Sequence, residues 1–426
     1  MKIQKILKRL LQLHPKSIDL SLDRIKRLLK DLNNPQDKIE NAIQVVGTNG
    51  KFSFCTSLRE IFETSGYKVN LNISPSLKKF NERYYFSGNF ISDAKLHDLL
   101  IEVEKINAGK NITFHEFICA CFFLEASRNK ADVNIFESGL FFRLDASNVL
   151  KKNIASVIMP IGMDHKDFLK KGTINEIIYE KCSHLLENSK IFVSEQSLGV
   201  LKEIKKNITN NSSEKIIFSE NYNYFKKGKR FIFEDKFGKI DLPIPNLLGE
   251  HQISNVSTAI ATSRSLEQFK IENHHIKKAI TKIKSEGRLQ NIIEGNLRNY
   301  VSKNNIILID GAHNSLAAKV VQKYLKSLNT KKKIIMVLGM MKNKEHKKFI
   351  FVFKKIIHSI ITLNIPNQIN FIEKEKLCKI AQSCNILSRT EISIQRALKN
   401  IAKENDDAII LCTGSLYFAG EILNLN

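Results

Sequence analysis

A strand-like apolar run, Ile43 to Val46, leads into the seven residues GTNGKFS, Gly47 to Ser53. The stretch beginning at Phe52 reads as helix. A Gly-Lys pair at a strand-to-helix turn suits a nucleoside triphosphate, because glycine lets backbone N–H groups close on phosphates and lysine supplies a point charge. The general P-loop form places Ser or Thr directly after the lysine, where this chain has Phe52, and another glycine where it has Val45. Here the hydroxyl is Ser53, two places after Lys51. Glu137 and His165 fall at predicted strand ends further on, and their oxygen and imidazole groups would complete the shell of a Mg²⁺ held by a P-loop hydroxyl. The alternatives are that Glu137 caps a helix and that His165 is a surface histidine.

The elements that must position these groups alternate. The first forty residues show helical spacing (Ile6, Leu10, Leu11, then Leu22, Ile25, Leu28, Leu29). After them come strand Ile43 to Val46, helix Phe52 to Ser65, strand Lys68 to Ile73, a buried helix Thr113 to Arg128, strand Val133 to Phe136 and strand Ala155 to Ile161. Such alternation means a parallel sheet with its chemistry at the carboxyl ends of the strands. Residues 190–245 carry short β-like stretches, and a helix runs from Gln252 to about Leu266. A second alternating block opens near Tyr300, with strands Ile306 to Ile309, Ile334 to Leu338 and Ala408 to Cys412. The expected organisation is α/β throughout, with a linker near Asn291 to Arg298.

Composition narrows the class. The chain has 426 residues, 43% hydrophobic and 26% charged, which suits two or three soluble domains. No apolar run is long enough for a membrane span. The start, MKIQKILKRLLQLHP, is basic and amphipathic without a signal-peptide core, and seven scattered cysteines without a CxxC pair point to reduced thiols. A mature cytoplasmic chain is expected. The formal charge of +24 invites a nucleic-acid reading. Lysines spread evenly among Asn and Ile instead suggest a coding bias or a general attraction for anionic substrates, and no nucleic-acid or membrane partner is expected.

The pieces and their order resemble the folylpolyglutamate synthase and dihydrofolate synthase family of the Mur-ligase superfamily. SIDLSLDRIKRLL, VVGTNGKFS, SPSLKKFNER, ESGLFFRLDASNV, IGMDHKDFL, EKC, LLGEHQISNVSTA, GRLQ, IDGAHN and GSLYFAGEIL carry the resemblance along nearly the whole chain. It implies an N-terminal P-loop ATPase domain over residues 1–292 and a C-terminal Rossmann-like domain over 293–426. It also implies a reaction in which ATP activates a pteroate or folate carboxylate as an acyl phosphate that L-glutamate then attacks. By motif, Gly47, Thr48, Asn49, Gly50 and Lys51 would cradle the phosphates, and Ser53, Glu137 and His165 would surround Mg²⁺. Lys181 matches a lysine carbamylated in the family, against the alternative of a solvated surface lysine. Asn255 would face the adenine, Arg288 the phosphates and Asp310 the ribose. His313 and Ser415 would shape the glutamate and catalytic region, and the segment Ser74 to Arg83 would lie beside the pterin with Arg83 as an anion contact. Catalytic roles fall to Lys51, His165, Lys181 and His313, the cofactors are ATP and Mg²⁺, the substrates are dihydropteroate or folates with L-glutamate, and the enzyme would be a monomer.

The chain departs from the family where Phe52, Phe141 and Phe142 replace glycines, where Ser76 replaces a histidine, and in the run after EKC. Two readings compete. In one, Phe52 packs near Phe141 or Phe142 in a shared apolar niche and the ligase works. In the other the site has decayed, leaving a nucleotide-binding or nucleic-acid-associated homologue. Decay would remove charged groups first, yet Lys51, Ser53, Glu137, Arg143, His165, Lys181, Arg288, Asp310 and His313 all remain. A working ligase is therefore expected, bifunctional or with a single one of the two activities.

Overall fold

The computed structural model describes residues 2–16 and 19–426. Ser17 and Ile18, which open the SIDLSLDRIKRLL motif, lie outside the described residues. The chain divides into two compact units. The first comprises residues 1–161, 171–245 and 253–283, and the second residues 162–170, 246–252 and 284–426.

In the first unit, helices α1 (Lys2–Leu10) and α2 (Asp23–Asp31) precede strand β1 (Ala42–Val46), helix α3 (Lys51–Thr64) and strand β2 (Val69–Asn72). There follow β3 (Tyr84–Phe86), β4 (Asn89–Phe90), α4 (Asp93–Asn107), α5 (Phe114–Arg128), β5 (Val133–Glu137), β6 (Ala155–Ile158), α6 (Ile174–Cys182), β7 (Lys190–Val193), α7 (Leu198–Ile208) and β8 (Glu214–Ile217). The eight strands lie in the order β4-β3-β2-β5-β1-β6-β7-β8, parallel from β2 to β8. Every residue of β1 and β5 is buried, as in a parallel sheet covered on both faces. Helix α5 is buried nearly all round and seals one face, and a Thr113–Glu116 capping box fixes its start. Arg24 of α2 grips the same Glu116, at 2.9 and 3.0 Å, and so ties the N-terminal helices to that core. A separate antiparallel sheet is formed by β9 (Tyr222–Lys227), β10 (Arg230–Asp235) and β11 (Gly238–Pro243).

Helix α8 (Glu250–Ser265) and helix α9 (Asn273–Ile280) come next. The second unit has a six-stranded sheet in the order β12-β13-β17-β14-β15-β16. Its strands are β12 (Gln290–Asn291), β13 (Ile306–Ile309), β14 (Lys333–Leu338), β15 (Ser359–Thr362), β16 (Leu387–Thr390) and β17 (Ala408–Thr413), all parallel except β12. Around it pack α10 (Ser315–Ser327), α11 (His346–Phe353), α12 (Lys374–Ser383), α13 (Ile394–Glu404) and α14 (Leu416–Asn424). The stretch from Asn291 to Arg298 holds the end of β12 and the start of a 3₁₀ turn, Asn296–Tyr300.

One boundary differs from the sequence reading in a way that matters. Strand β6 stops at Ile158, not Ile161, because Pro160 has no N–H to give a ladder. Its carbonyl instead accepts from the amides of Thr48 and Asn49, at 2.9 and 3.1 Å, and shapes the loop after β1.

Candidate active site

Strands β1 and β5 are neighbours in register, Val45 opposite Glu137, so the loop Gly47 to Gly50 and the Glu137 carboxylate leave the sheet side by side. Gly47 has φ +148° and a Cβ there would stand 2.8 Å from the Cβ of Met159. Gly50 has φ +81°, and its missing Cβ would stand 2.7 Å from Oδ1 of Asn255. Both glycines are therefore fixed by conformation and by close approach. Asn255, on α8 and buried, thereby belongs to the wall of the loop.

Helix α3 starts at Lys51, and its first intrahelical bond runs from Phe54 N to the Gly50 carbonyl. The amides of Lys51, Phe52 and Ser53 thus stand at the positive end of the helix dipole, where an anion is favoured. The Thr48 and Asn49 amides donate to Pro160, which shifts the burden of the cradle toward Gly50 and the helix start. Lys51 is 9% exposed, donates to the Gly47 carbonyl at 3.1 Å and stands 4.0 Å from Glu137 Oε1. Ser53 is buried beside them. Oε2 of Glu137 accepts from Ser74 N at 3.1 Å and anchors the start of the Ser74–Arg83 segment. That segment is held in shape by Glu82, which takes the amides of Leu77, Lys78 and Lys79. Arg83 donates to Ser74 Oγ at 3.1 Å with its guanidinium over the Phe80 ring. Cys55 lies beneath, and burial pushes its thiol well above the ordinary range despite the nearby Lys51.

Lys181 is buried, not solvated. Ile177, Ile178, Lys181 and Cys182 share the inner face of α6, and Lys181 Nζ donates to the Leu140 carbonyl at 2.9 Å over the Phe141 ring. The turn after Glu137 is tightest at Gly139. A Cβ at Gly139 would meet Asp145 Oδ2 and His115 Nε2, both at 3.0 Å. Phe141 and Phe142 have no such constraint, and the amides of Phe142 and Arg143 donate to the Glu180 carbonyl.

The phenylalanines expected to share a niche stand on different elements. Phe52 is half-buried on α3, whereas Phe141 and Phe142 are buried in the turn bonded to α6. The conformational argument against these residues also lapses, since Phe52, Phe141 and Phe142 are all absent from the residues with positive φ. Each is accommodated where it stands.

In the second unit the carboxyl ends of β13 and β17 lie together, with Ile309 opposite Cys412. Asp310 follows β13 and takes the amides of Leu289 and Ala312, at 2.8 and 2.7 Å. Burial raises its carboxyl, opposed by Arg288 and those two amides. Arg288 donates to the Gly287 carbonyl and approaches Gly311, where an added Cβ would stand 3.2 Å from Nη1. His313 directs Nδ1 at the Gly311 carbonyl, 2.9 Å away, and Nε2 at Asp164 Oδ2, 3.2 Å away. Ser415 caps α14 through Tyr417 N, just after Gly414, whose amide donates to Ala312. His165 belongs to this unit in a left-handed conformation, φ +53°, with Nε2 3.8 Å from Asp164 Oδ2.

Three residues of this region had no assigned role in the sequence reading. Asp164 gathers His313, Lys344, Asn314 and the His165 amide. Burial alone would raise its carboxyl, but His313, His165 and Lys344 outweigh that and hold it far below the usual range. His251 packs on Gly249, and burial lowers its imidazole to about 4, assisted by Arg288 and Lys323. The Asp-His pair was visible in IGMDHKDFL; nothing marked Lys344 among so many lysines.

Among the described residues no three His, Cys, Asp or Glu side chains form a metal-holding group. The hard-oxygen pair of Ser53 and Glu137 beside a phosphate cradle fits an ion that takes few protein ligands and completes its shell with phosphate oxygens and water. No described helix is long and apolar enough to cross a membrane.

Residues 45–263 match the Mur ligase middle domain, and residues 290–425 match the dihydrofolate synthetase C-terminal domain. The dihydrofolate synthase/folylpolyglutamate synthase of Buchnera aphidicola from Acyrthosiphon pisum is 30% identical over 387 residues, covering 89% of this chain and 88% of its own. That of Bacillus subtilis is 28% identical over 423 residues, covering 94% of each. Among solved structures, Escherichia coli FolC in complex with DHPP and ADP superposes with a TM-score of 0.87 at 23% identity, covering 99% of this chain and 97% of that one. The Yersinia pestis bifunctional enzyme complexed with AMPPNP and Mn ion gives 0.85 at 20% identity, covering 99% and 97%. These likenesses establish the fold.

Proposed function

Because the chain belongs to the dihydrofolate synthase/folylpolyglutamate synthase family of Mur ligases, we propose that it joins L-glutamate to dihydropteroate and to folates at the expense of ATP. The observation that carries the reading is the side-by-side exit of the Gly47–Gly50 loop and Glu137, with Lys51 between them and Ser74 tethered to the same carboxylate. It offers a triphosphate cradle joined by one residue to the segment assigned to the pterin.

The chemistry needs positioning and charge neutralisation more than covalent help. A substrate carboxylate oxygen bonds to the γ-phosphorus, the bond to the β,γ-bridging oxygen breaks, and ADP leaves with its electron pair. The glutamate amine then attacks the acyl phosphate, and phosphate departs as the amine loses its proton. Lys51 and the start of α3 would neutralise the phosphates, Asn255 would face the base, and Ser53 with Glu137 and His165 would hold Mg²⁺, which supplies further charge neutralisation when bound; Lys181, once carbamylated, would offer a carboxylate-like ligand to a second metal. Arg288 and Asp310 take phosphate and ribose oxygens, and Arg83 a substrate anion. Both ring nitrogens of His313 are engaged, by the Gly311 carbonyl and by Asp164 Oδ2, which fixes the orientation of the ring for its assigned role. The burial of Lys181 supports carbamylation at that position. The same reading makes the enzyme a cytoplasmic monomer, divided functionally near residues 292 and 293.

Phosphate release from ATP and Mg²⁺ tests it, with dihydropteroate plus glutamate and then with tetrahydrofolate plus glutamate. Release that requires both members of a pair supports the ligase; release with only one pair reduces it to a single activity; silence with both sinks it.

A further inference from the structure

The loop 162–170 follows β6 and is grouped with the second unit, and the Asp164 side chain is bound there by several groups. Asp164 is buried, its side chain 8% exposed, and both carboxylate oxygens are used as acceptors. Oδ1 takes the Lys344 ammonium at 2.6 Å and the His165 amide at 2.9 Å. Oδ2 takes the Asn314 carboxamide at 3.1 Å and faces His313 Nε2 at 3.2 Å. Lys344 is itself only 9% exposed, so the pair is shielded from water and its geometry is costly to disturb. The far side of the His313 ring is pinned by the Gly311 carbonyl.

We propose that Asp164 is a positioning residue of the ligase reaction: it fixes the His313 ring and the Lys344 ammonium at the place where the incoming amino acid is bound. The inference rests on the ligase reading and adds to it two residues, Asp164 and Lys344, that the reading does not use. The need for a carboxylate is chemical. An asparagine would present one oxygen and one NH₂, so one edge would turn a donor against donors and either the Lys344 side or the His313 side would come loose. A glutamate keeps both acceptors but reaches too far by one methylene, and restores function in part.

Asp164→Asn, Asp164→Glu, Lys344→Met and the double variant Asp164→Asn with Lys344→Met are compared with wild type by steady-state kinetics and thermal melting. Lys166→Ala serves as the control, since Lys166 is on the same loop in a half-exposed pair with Glu345. Asp164→Asn is expected to lower kcat/KM for glutamate roughly 10–100-fold, the scale of lost supporting contacts at a site, with the ATP KM within about twofold of wild type. Asp164→Glu recovers part of the loss, and the double variant is no worse than the poorer single one, because the two residues act as a unit. Lys166→Ala behaves as wild type. Histidine side-chain NMR gives a readout independent of turnover: the His313 ring signal, assigned with His313→Gln, moves in Asp164→Asn and stays in Lys166→Ala. A folded Asp164→Asn protein with unchanged glutamate kinetics overturns the proposal, as does an unmoved His313 signal. Equal losses for ATP and glutamate with a lowered melting temperature would reduce Asp164 to a structural role. Wild type that forms no product with any substrate pair marks failure of the ligase reading instead, and the NMR comparison then decides the positioning claim.

Discussion

Replacing Gly50 by alanine attacks the phosphate cradle at its tightest point. The backbone there has φ +81°, which costs an L-residue roughly 1–2 kcal/mol. The added Cβ would also lie 2.7 Å from Asn255 Oδ1, so the carboxamide must leave its rotamer, at a cost of about 1 kcal/mol. The total is roughly 2–3 kcal/mol. If the loop keeps its shape, the cost appears as lost stability, about 2–4 °C of melting temperature per kcal/mol for a domain of this size. If the loop relaxes, ATP binding must restore its shape, and the cost appears as a loss of roughly 30- to 150-fold in affinity. The sum of the two, from thermal melting and from calorimetric titration with a non-hydrolysable ATP analogue, is the predicted quantity. Gly66→Ala is the control, because φ is +91° there but a Cβ would meet open space. It should show the conformational part alone, with no change in nucleotide affinity. Gly50→Ala with wild-type melting and wild-type affinity would refute the geometry assigned to the loop.

The His251 imidazole is depressed in the folded state, so its contribution to stability is present above the unfolded value near 6.5 and is lost as pH falls toward about 4. Melting between about pH 7 and pH 4.5 should therefore fall more steeply for wild type than for His251→Gln, by up to about 3 kcal/mol; parallel curves would contradict the assignment. Ser53→Ala should raise the divalent-ion concentration needed for half-maximal turnover by roughly tenfold or more, with the glutamate KM unchanged, and chelation should abolish turnover in both proteins.

How far the sequence carried the reading depends on the range of the interaction concerned. The apolar runs of β1 and β5 and the GTNGKFS loop are local signals, and they placed Lys51 and Glu137 at strand ends; that the two strands are neighbours, which brings the pair together, appears only in the sheet order. The inward turn of Lys181 was also legible, since Ile177, Ile178 and Cys182 place it on the apolar face of α6, but the lysine-rich composition obscured it. Composition and periodicity hold no trace of the Asp164 network, whose partners stand 150 and 180 residues away along the chain. The phenylalanines misled for a different reason. Glycine at a family position suggests a need for positive φ, yet the backbone at Phe52, Phe141 and Phe142 has none, and the glycines of the loop that do have it, Gly47 and Gly50, are retained.

The central claim is that the chain activates a pterin-bearing carboxylate by phosphoryl transfer before glutamate is joined to it. Dihydropteroate labelled with oxygen-18 in its carboxylate, incubated with the protein, ATP, Mg²⁺ and glutamate, tests this by mass spectrometry of the released phosphate. One labelled oxygen in the phosphate for each amide bond formed is the predicted result; unlabelled phosphate accompanying product would contradict it.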